Sequence, residues 1–388
     1  MRVNGTSVDE IQPAVSAAPQ QDARLRAEFH KSLSLQFALE VEFEALPGFT
    51  ILFGASGAGK TTLLDCVAGL STPDVGNISI GNRILFDDSQ HINIPVAQRR
   101  AGYVLQDLAL FPHMSVAVNV AYGLAHLSHS ARQQRVTAIL QAFRIENLAE
   151  RSAREISGGE AQRVAMARTL VTDPEVLLLD EPLAALDAPT KARIIDDLRQ
   201  WNRTHRIPIL YVTHSREEVF ALGERVIVLD EGKIVAQGTP HDVISAPRLE
   251  TVAQLAGFEN IFDVTVDAIH PDRGTMVCRI LPPPGTLEAV SVETPLVRAT
   301  IGSKLRLGIR AGDILLATVC PEGLSARNVI RGHVLSLRQS DVIVSARVDC
   351  GAEMEVHLTL AARSALQLVP GREVWLVIKT HSCHMMQQ

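Results

Sequence analysis

From Leu33 to Phe43 apolar residues occupy every second position: Leu33, Leu35, Phe37, Leu39, Val41 and Phe43. That is the period of a half-buried β-strand. Phe49 to Phe53 reads as a second short strand that runs into a glycine-rich segment. Beyond it, apolar runs at Arg100–Leu105, Glu175–Leu179, Pro208–Val212 and Arg225–Leu229 predict buried strands. Helical spacing predicts helices at Thr61–Ala68, Ser130–Phe143, Gly159–Thr172, Pro189–Thr204 and Arg216–Leu222. Buried strands with interposed helices imply an α/β domain around a largely parallel sheet.

After Gly257 the pattern changes. Strand-like runs become short and Pro/Gly-separated, with a firm break at Pro282-Pro283-Pro284-Gly285. This predicts an all-β tail of small barrels over 258–388. The tail repeats itself: Gly302-Ser-Lys-Leu-Arg-Leu-Gly-Ile-Arg310 has the pattern of Gly371-Arg-Glu-Val-Trp-Leu-Val-Ile-Lys379, 69 residues later. Two related halves are the natural expectation; two unrelated strands of similar alternation are the alternative. Residues 1–32 show no period and are read as a disordered or loosely docked extension.

Composition narrows the function. The chain has 388 residues, 46% hydrophobic and 21% charged, with net charge −6. It has room for two or three domains, and it lacks the basic footprint of a nucleic-acid binder. No apolar stretch nears the roughly 18–20 residues of a membrane helix. Residues 1–30 lack the apolar core of a secretory signal. The expectation is a cytosolic chain that serves any membrane machine from one side. Five scattered cysteines, at 66, 278, 320, 350 and 383, suit a reducing compartment. The His381-Ser-Cys383-His384 run is read as a mobile His-rich terminus rather than a metal site.

Three segments carry phosphate chemistry. Gly54-Ala55-Ser56-Gly57-Ala58-Gly59-Lys60-Thr61 fits G-x-x-x-x-G-K-[ST]. Its glycines let backbone N–H groups cradle phosphate, Lys60 reaches the β/γ oxygens and the Thr61 hydroxyl ligates Mg²⁺. Thr62 follows in the first turn of a helix whose dipole favours the anion. Second, Glu175-Val-Leu-Leu-Leu-Asp180-Glu181 delivers two carboxylates at a strand end, Asp180 for the Mg²⁺ shell and Glu181 to polarise a water. Third, Ser157, Gly158, Gly159 and Glu160 open a helix and make a second anion cradle. One nucleotide does not need two separate cradles. Two chains that each close on the other's nucleotide do.

Together these segments resemble the ABC-type ATPases, over residues 33–257. The resemblance implies Mg-ATP hydrolysis at a homodimer interface, with Gln106 as the glutamine that touches Mg²⁺, Asp187 in the Ala184–Asp187 loop, and His214 as the histidine that contacts the γ-phosphate. There are departures. Glu160 stands where Gln is more usual and Ala184 where Ser is. No Tyr precedes position 103, so Phe29, His30 and Phe37 remain open as the adenine-stacking residue. The stretch Leu108–Val116 resembles the importer surface that receives integral-membrane permease subunits.

Ser325-Ala-Arg327-Asn328 and Trp375–Ser382 resemble a molybdate-binding barrel, giving a Mop-like module at 320–388. A tetrahedral dianion needs hydroxyls, N–H donors and cations; Ser325, Arg327, Lys379 and Ser382 are the candidates. The resemblance implies the ATPase subunit of a molybdate importer, at the cytoplasmic face of the membrane and served by an extracytoplasmic binding protein. Sulfate, iron, polyamine or sugar as cargo, a barrel that only helps dimerise, and a soluble non-transport ATPase are the alternatives.

Overall fold

The computed structural model describes residues 23–184, 186–245, 247–281 and 289–386. The stretch 1–22 and the Pro282–Gly285 break lie outside the described residues. In chain order the first elements are β1 (Leu25–Ser32), β2 (Ala38–Ala45), β3 (Gly48–Phe53), α1 (Lys60–Ala68), β4 (Val75–Ile80), β5 (Arg83–Asp87) and β6 (Ile92–Asn93). Then come β7 (Ala101–Val104), α2 (Val116–Ala121), α3 (His129–Ala142), α4 (Gly158–Leu170), β8 (Val176–Asp180), α5 (Ala188–His205), β9 (Pro208–Val212), α6 (Arg216–Leu222), β10 (Arg225–Asp230) and β11 (Lys233–Gly238). Two compact units form, one from residues up to Phe49 and from Thr62 to Leu210, the other from Thr50–Thr61 and from Tyr211 onward.

In the first unit β6, β5, β4, β1 and β2 lie side by side, antiparallel throughout. β7 and β8 pair parallel. The sequence pattern had placed residues 25–32 in a loose extension. They form β1 instead, because Leu25, Ala27 and Phe29 alternate inward and both edges are paired. The predicted strand at Leu33–Phe43 starts late, at Ala38. Leu33 and Leu35 are exposed in a tight turn, where the Leu33 and Ser34 amides donate to the Phe37 carbonyl at 3.0 and 3.1 Å.

In the second unit β3 and β10 pair parallel through Thr50–Phe53 and Arg225–Val228, and β11 returns antiparallel to β10. Its remaining strands are β12 (Asn260–His270), β13 (Thr275–Ile280), β14 (Ser291–Pro295), β15 (Lys304–Ile309), β16 (Leu315–Ala317), β17 (Asn328–Ser340), β18 (Ile343–Asp349), β19 (Glu353–Thr359), β20 (Glu373–Ile378) and β21 (His384–Met386). They make two five-stranded sheets, β14-β13-β12-β15-β21 and β16-β20-β17-β18-β19.

These sheets are two copies of one plan. Each has a long first strand that begins at a buried asparagine, Asn260 or Asn328. Each long strand is bulged at the matching place, between Val266 and Ala268 or between Val334 and Ser336. Each copy sends its last short strand to the other: β16 pairs with β20, and β21 with β15. The asparagines reciprocate as well. Asn260 exchanges two hydrogen bonds with the Glu355 backbone (2.8 and 2.7 Å), Asn328 two with the Glu293 backbone (2.6 and 2.9 Å). One hydrophobic cluster, with Val264, Leu307, Val334 and Leu376 among its members, serves both copies.

The strands of 320–388 also pair outside it, β20 with β16 and β21 with β15. The His381–His384 run is no mobile terminus: it forms a turn and the paired strand β21. Cys383 is buried, which pushes its thiol up to about 12. Among the described residues no His/Cys/Asp/Glu group is placed to hold a metal, and no helix is long and apolar enough to cross a membrane.

Candidate functional site

β3 is buried along its whole length and leads into Gly54. A side chain there is impossible: Gly54 has φ +156°, and a Cβ would stand 2.2 Å from the Leu229 carbonyl oxygen. The loop folds on itself, with the Ala58 amide donating to the Ala55 carbonyl at 3.2 Å. Gly57 and Gly59 have φ of +83° and +101°, and a Cβ on Gly57 would meet open space. Lys60, 7% exposed, opens α1 and donates its ammonium to the Gly54 and Ala55 carbonyls at 2.9 and 2.7 Å. The result is an inward-turned backbone holding a cation under an open face, with Ala55 and Ser56 exposed on it and Thr61 beside Lys60. That donor set fits a polyphosphate.

α1 is held at its far end by Arg99, which is fully buried. Its guanidinium donates to the Cys66 and Val67 carbonyls at 2.8 and 3.0 Å, to the Ile94 carbonyl at 2.9 Å and to Asn93 Oδ1 at 2.9 Å. A cation on the last carbonyls of a helix satisfies them and opposes its dipole. The sequence reading did not single out Arg99.

The segment around His214 lies in the same unit as the loop. β9 runs out at Val212; Thr213 is buried and His214 exposed. Buried Glu218 on α6 accepts from the Thr213 and Tyr211 hydroxyls at 2.8 and 2.9 Å. Thr213 Oγ1 accepts from the Ser215 amide at 2.9 Å, and Ser215 caps α6. Glu218 therefore fixes the backbone on both sides of His214, and burial helps push the Tyr211 phenol well above its usual range. No sequence motif pointed to Glu218.

In the first unit, β8 delivers Asp180, which is buried, and Glu181, whose φ is +44°. A left-handed glutamate is strained backbone and turns the chain sharply after the strand. Asp187 caps α5 by accepting from the Thr190 amide at 3.4 Å, and its contact with Thr190 holds its carboxyl below the usual range. Gln106 is exposed in the turn after β7. That turn is tied down by Arg168 of α4, which donates to the Leu108 and Ala109 carbonyls at 2.8 and 2.7 Å. Both residues are left-handed, φ 60° and 43°. The glutamine loop and the Ser157 helix are thus strapped together.

At the start of α4, Ser157 and Glu160 form a reciprocal capping box. Glu160 Oε2 accepts from the Ser157 amide and hydroxyl, both at 2.8 Å, and the backbone donor holds its carboxyl below the usual range. The Glu160 amide donates back to Ser157 Oγ at 3.4 Å. The N–H groups left at this helix start are those of Gly158 and Gly159. Gly159 has no room for a side chain, because a Cβ would stand 2.6 Å from Thr190 Cγ2.

Of the open adenine-stacking candidates, Phe29 lies in the core, 3% exposed, and presents no ring. His30 is half-exposed near Asp74, and Phe37 is partly buried. In the tail, the pairing Asn328↔Ile378 brings Arg327 beside Lys379. Ser325, Arg327 and Lys379 are exposed, and Ser382 sits in the turn that Lys379 begins. Arg327 Nε lies 3.8 Å from Glu293 Oε2.

Known proteins resemble the chain in both of its parts. Residues 41–184 match the ABC transporter family model, and 324–385 match the TOBE domain model. The chain is 38% identical over 346 residues to the molybdenum import ATP-binding protein ModC of Paramagnetospirillum magneticum, covering 89% of this chain and 93% of that one. It is also 38% identical over 368 residues to the Rhizobium meliloti protein of the same name, 92% and 99% covered. Among solved structures, cbiO1 from Clostridium perfringens, part of the ABC transporter complex cbiONQ, is 28% identical with a TM-score of 0.52, covering 58% of this chain and 92% of that one.

Proposed function

The chain belongs to the ABC transporter family of ATP-binding proteins, with molybdenum import proteins among its relatives, and on that premise we propose that it is the ATPase subunit of a molybdate importer. The observation that supports the cargo most is the reach of the likeness: it spans 89% of the chain, so it takes in the tail as well as the ATP-binding part. In this reading two copies close on two ATP molecules, permease subunits receive the motion, and an extracytoplasmic binding protein supplies the oxyanion.

The roles follow from side-chain chemistry. The Gly54–Gly59 amides and the Lys60 ammonium hold the β/γ-phosphates, with Thr61 and Thr62 at the helix start. Thr61, Asp180 and Gln106 are the proposed Mg²⁺ ligands; when bound, the ion neutralises charge that builds on the phosphate oxygens. Glu181 orients a water and accepts its proton, and His214, positioned through Glu218, donates to the γ-phosphate. From the second copy, Ser157 and the Gly158 and Gly159 amides complete the cradle, with Asp187 nearby. Glu160 serves by holding the Ser157 cap rather than by facing an anion with its own carboxylate. In the tail, Ser325, Arg327, Lys379 and Ser382 receive the oxyanion.

The test is labelled-molybdate uptake by cells that lack this chain. Uptake is lost, and the wild-type chain restores it while Glu181→Gln does not; sulfate uptake is unaffected. Unchanged molybdate uptake, or loss of sulfate uptake in its place, overturns the reading.

A further inference from the structure

The two tail copies share one backbone plan, so the same two strand ends meet in each. In the first, Asn260↔Ile309 pairing sets Gly257–Glu259 against Arg310–Asp313. In the second, Asn328↔Ile378 pairing sets Ser325–Arg327 against Lys379–Ser382. Position by position, Gly257 stands for Ser325, Glu259 for Arg327, Arg310 for Lys379, Ala311 for Thr380 and Asp313 for Ser382.

The chemistry at those positions is opposite. The first copy has no hydroxyl among these residues and carries two carboxylates beside one cation. Glu259 Oε2 accepts from the Ala311 amide at 2.8 Å. Arg310 is also engaged, 4.0 Å above the Phe258 ring and donating to the Ile244 carbonyl at 2.8 Å. The second copy offers two cations and three hydroxyls. Thr380 Oγ1 is buried with no hydrogen-bond partner, and among the described residues no carboxylate takes the Thr380 amide. One acid does approach, Glu293, 3.8 Å from Arg327.

We infer that the first copy is closed by its own Glu259 carboxylate, so that the chain takes one tetrahedral oxyanion, in the second copy alone. An internal carboxylate on the amide that an anion would use, with a second acid two residues on, repels an oxyanion and withholds that amide from it. In the second copy the buried Thr380 hydroxyl lacks an acceptor; in the first, Arg310 Nε is likewise without one, but its guanidinium lies over the Phe258 ring. The inference rests on reading the tail as an oxyanion binder, and the experiment separates the two.

Equilibrium dialysis of the full chain with labelled molybdate, under saturating Mg-ADP to occupy the phosphate loop, counts the sites. The wild type binds about one per chain, Lys379→Ala with Ser382→Ala binds none, and Glu259→Arg with Asp313→Ser, the second copy's residues at these positions, binds about two. Two per wild-type chain, or a Glu259/Asp313 variant that remains folded by circular dichroism yet stays at one, overturns the closed copy. No binding to any of the three overturns the oxyanion reading of the tail itself. Wild-type stoichiometry decides the matter even if the double variant does not fold.

Discussion

At the scale of single side chains, the proposed roles of Glu181 and Lys60 separate turnover from binding. Glu181→Gln keeps size and polarity but cannot accept a proton. The expected result is retained ATP binding with hydrolysis lower by about 10²–10⁴-fold, measured as phosphate release beside nucleotide-binding fluorescence. Lys60→Ala removes the buried cation that two loop carbonyls now hold, and nucleotide binding itself should be lost. Glu218 acts indirectly. Glu218→Ala takes the acceptor from both the Tyr211 and Thr213 hydroxyls and should cost about 2–3 kcal/mol of stability, read by urea unfolding. At this scale the sequence offers candidates wherever chemistry is local. The phosphate loop, Asp180-Glu181 and Ser157–Glu160 are each contiguous, and a contiguous motif shows its chemistry without its fold. Glu218, Arg99 and Arg168 gave no such sign, because each acts on backbone atoms that only folding brings near.

Arg99 and Arg168 belong to the scale of elements. Each ties one segment to another through carbonyls, so a lysine with a single ammonium cannot replace either fork. Arg99→Ala leaves the last carbonyls of α1 unsatisfied in the interior and should cost roughly 3 kcal/mol or more, visible as a lower urea midpoint. β21 has a pH limit. His384 packs edge-on to Phe258, 5.0 Å between ring centroids, and burial lowers its pKa, helped by Arg310, His381 and His241 and opposed by Asp313. A histidine depressed in the folded state adds stability above its unfolded value near 6.5 and loses it as pH falls toward the folded value. Melting of the wild type should therefore drop between pH 7.5 and 5.5 by more than that of His384→Gln. β1 shows why element boundaries escaped the sequence. Arg26, Glu28 and His30 mask its alternation, and only pairing on both edges makes it a strand. The exchange of β16 and β21 was likewise hidden, since three-residue strands carry almost no pattern.

At the scale of the molecule, the repeat seen at Gly302 and Gly371 proved to be the visible part of a duplication that extends through bulges, asparagines and exchanged strands. The α/β fold and the all-β tail were both legible, because period and texture change at Gly257. The β16–β20 and β21–β15 exchange makes the tail one cooperative body in which neither copy is expected to survive excision. In the proposed function the phosphate loop is half a site, completed by Ser157–Gly159 of a second copy. Light scattering of Glu181→Gln with and without Mg-ATP tests this most directly. The account predicts that the mass doubles with ATP, and that Lys60→Ala added to the same chain abolishes the doubling. A Glu181→Gln chain that binds ATP and keeps its monomer mass would contradict it.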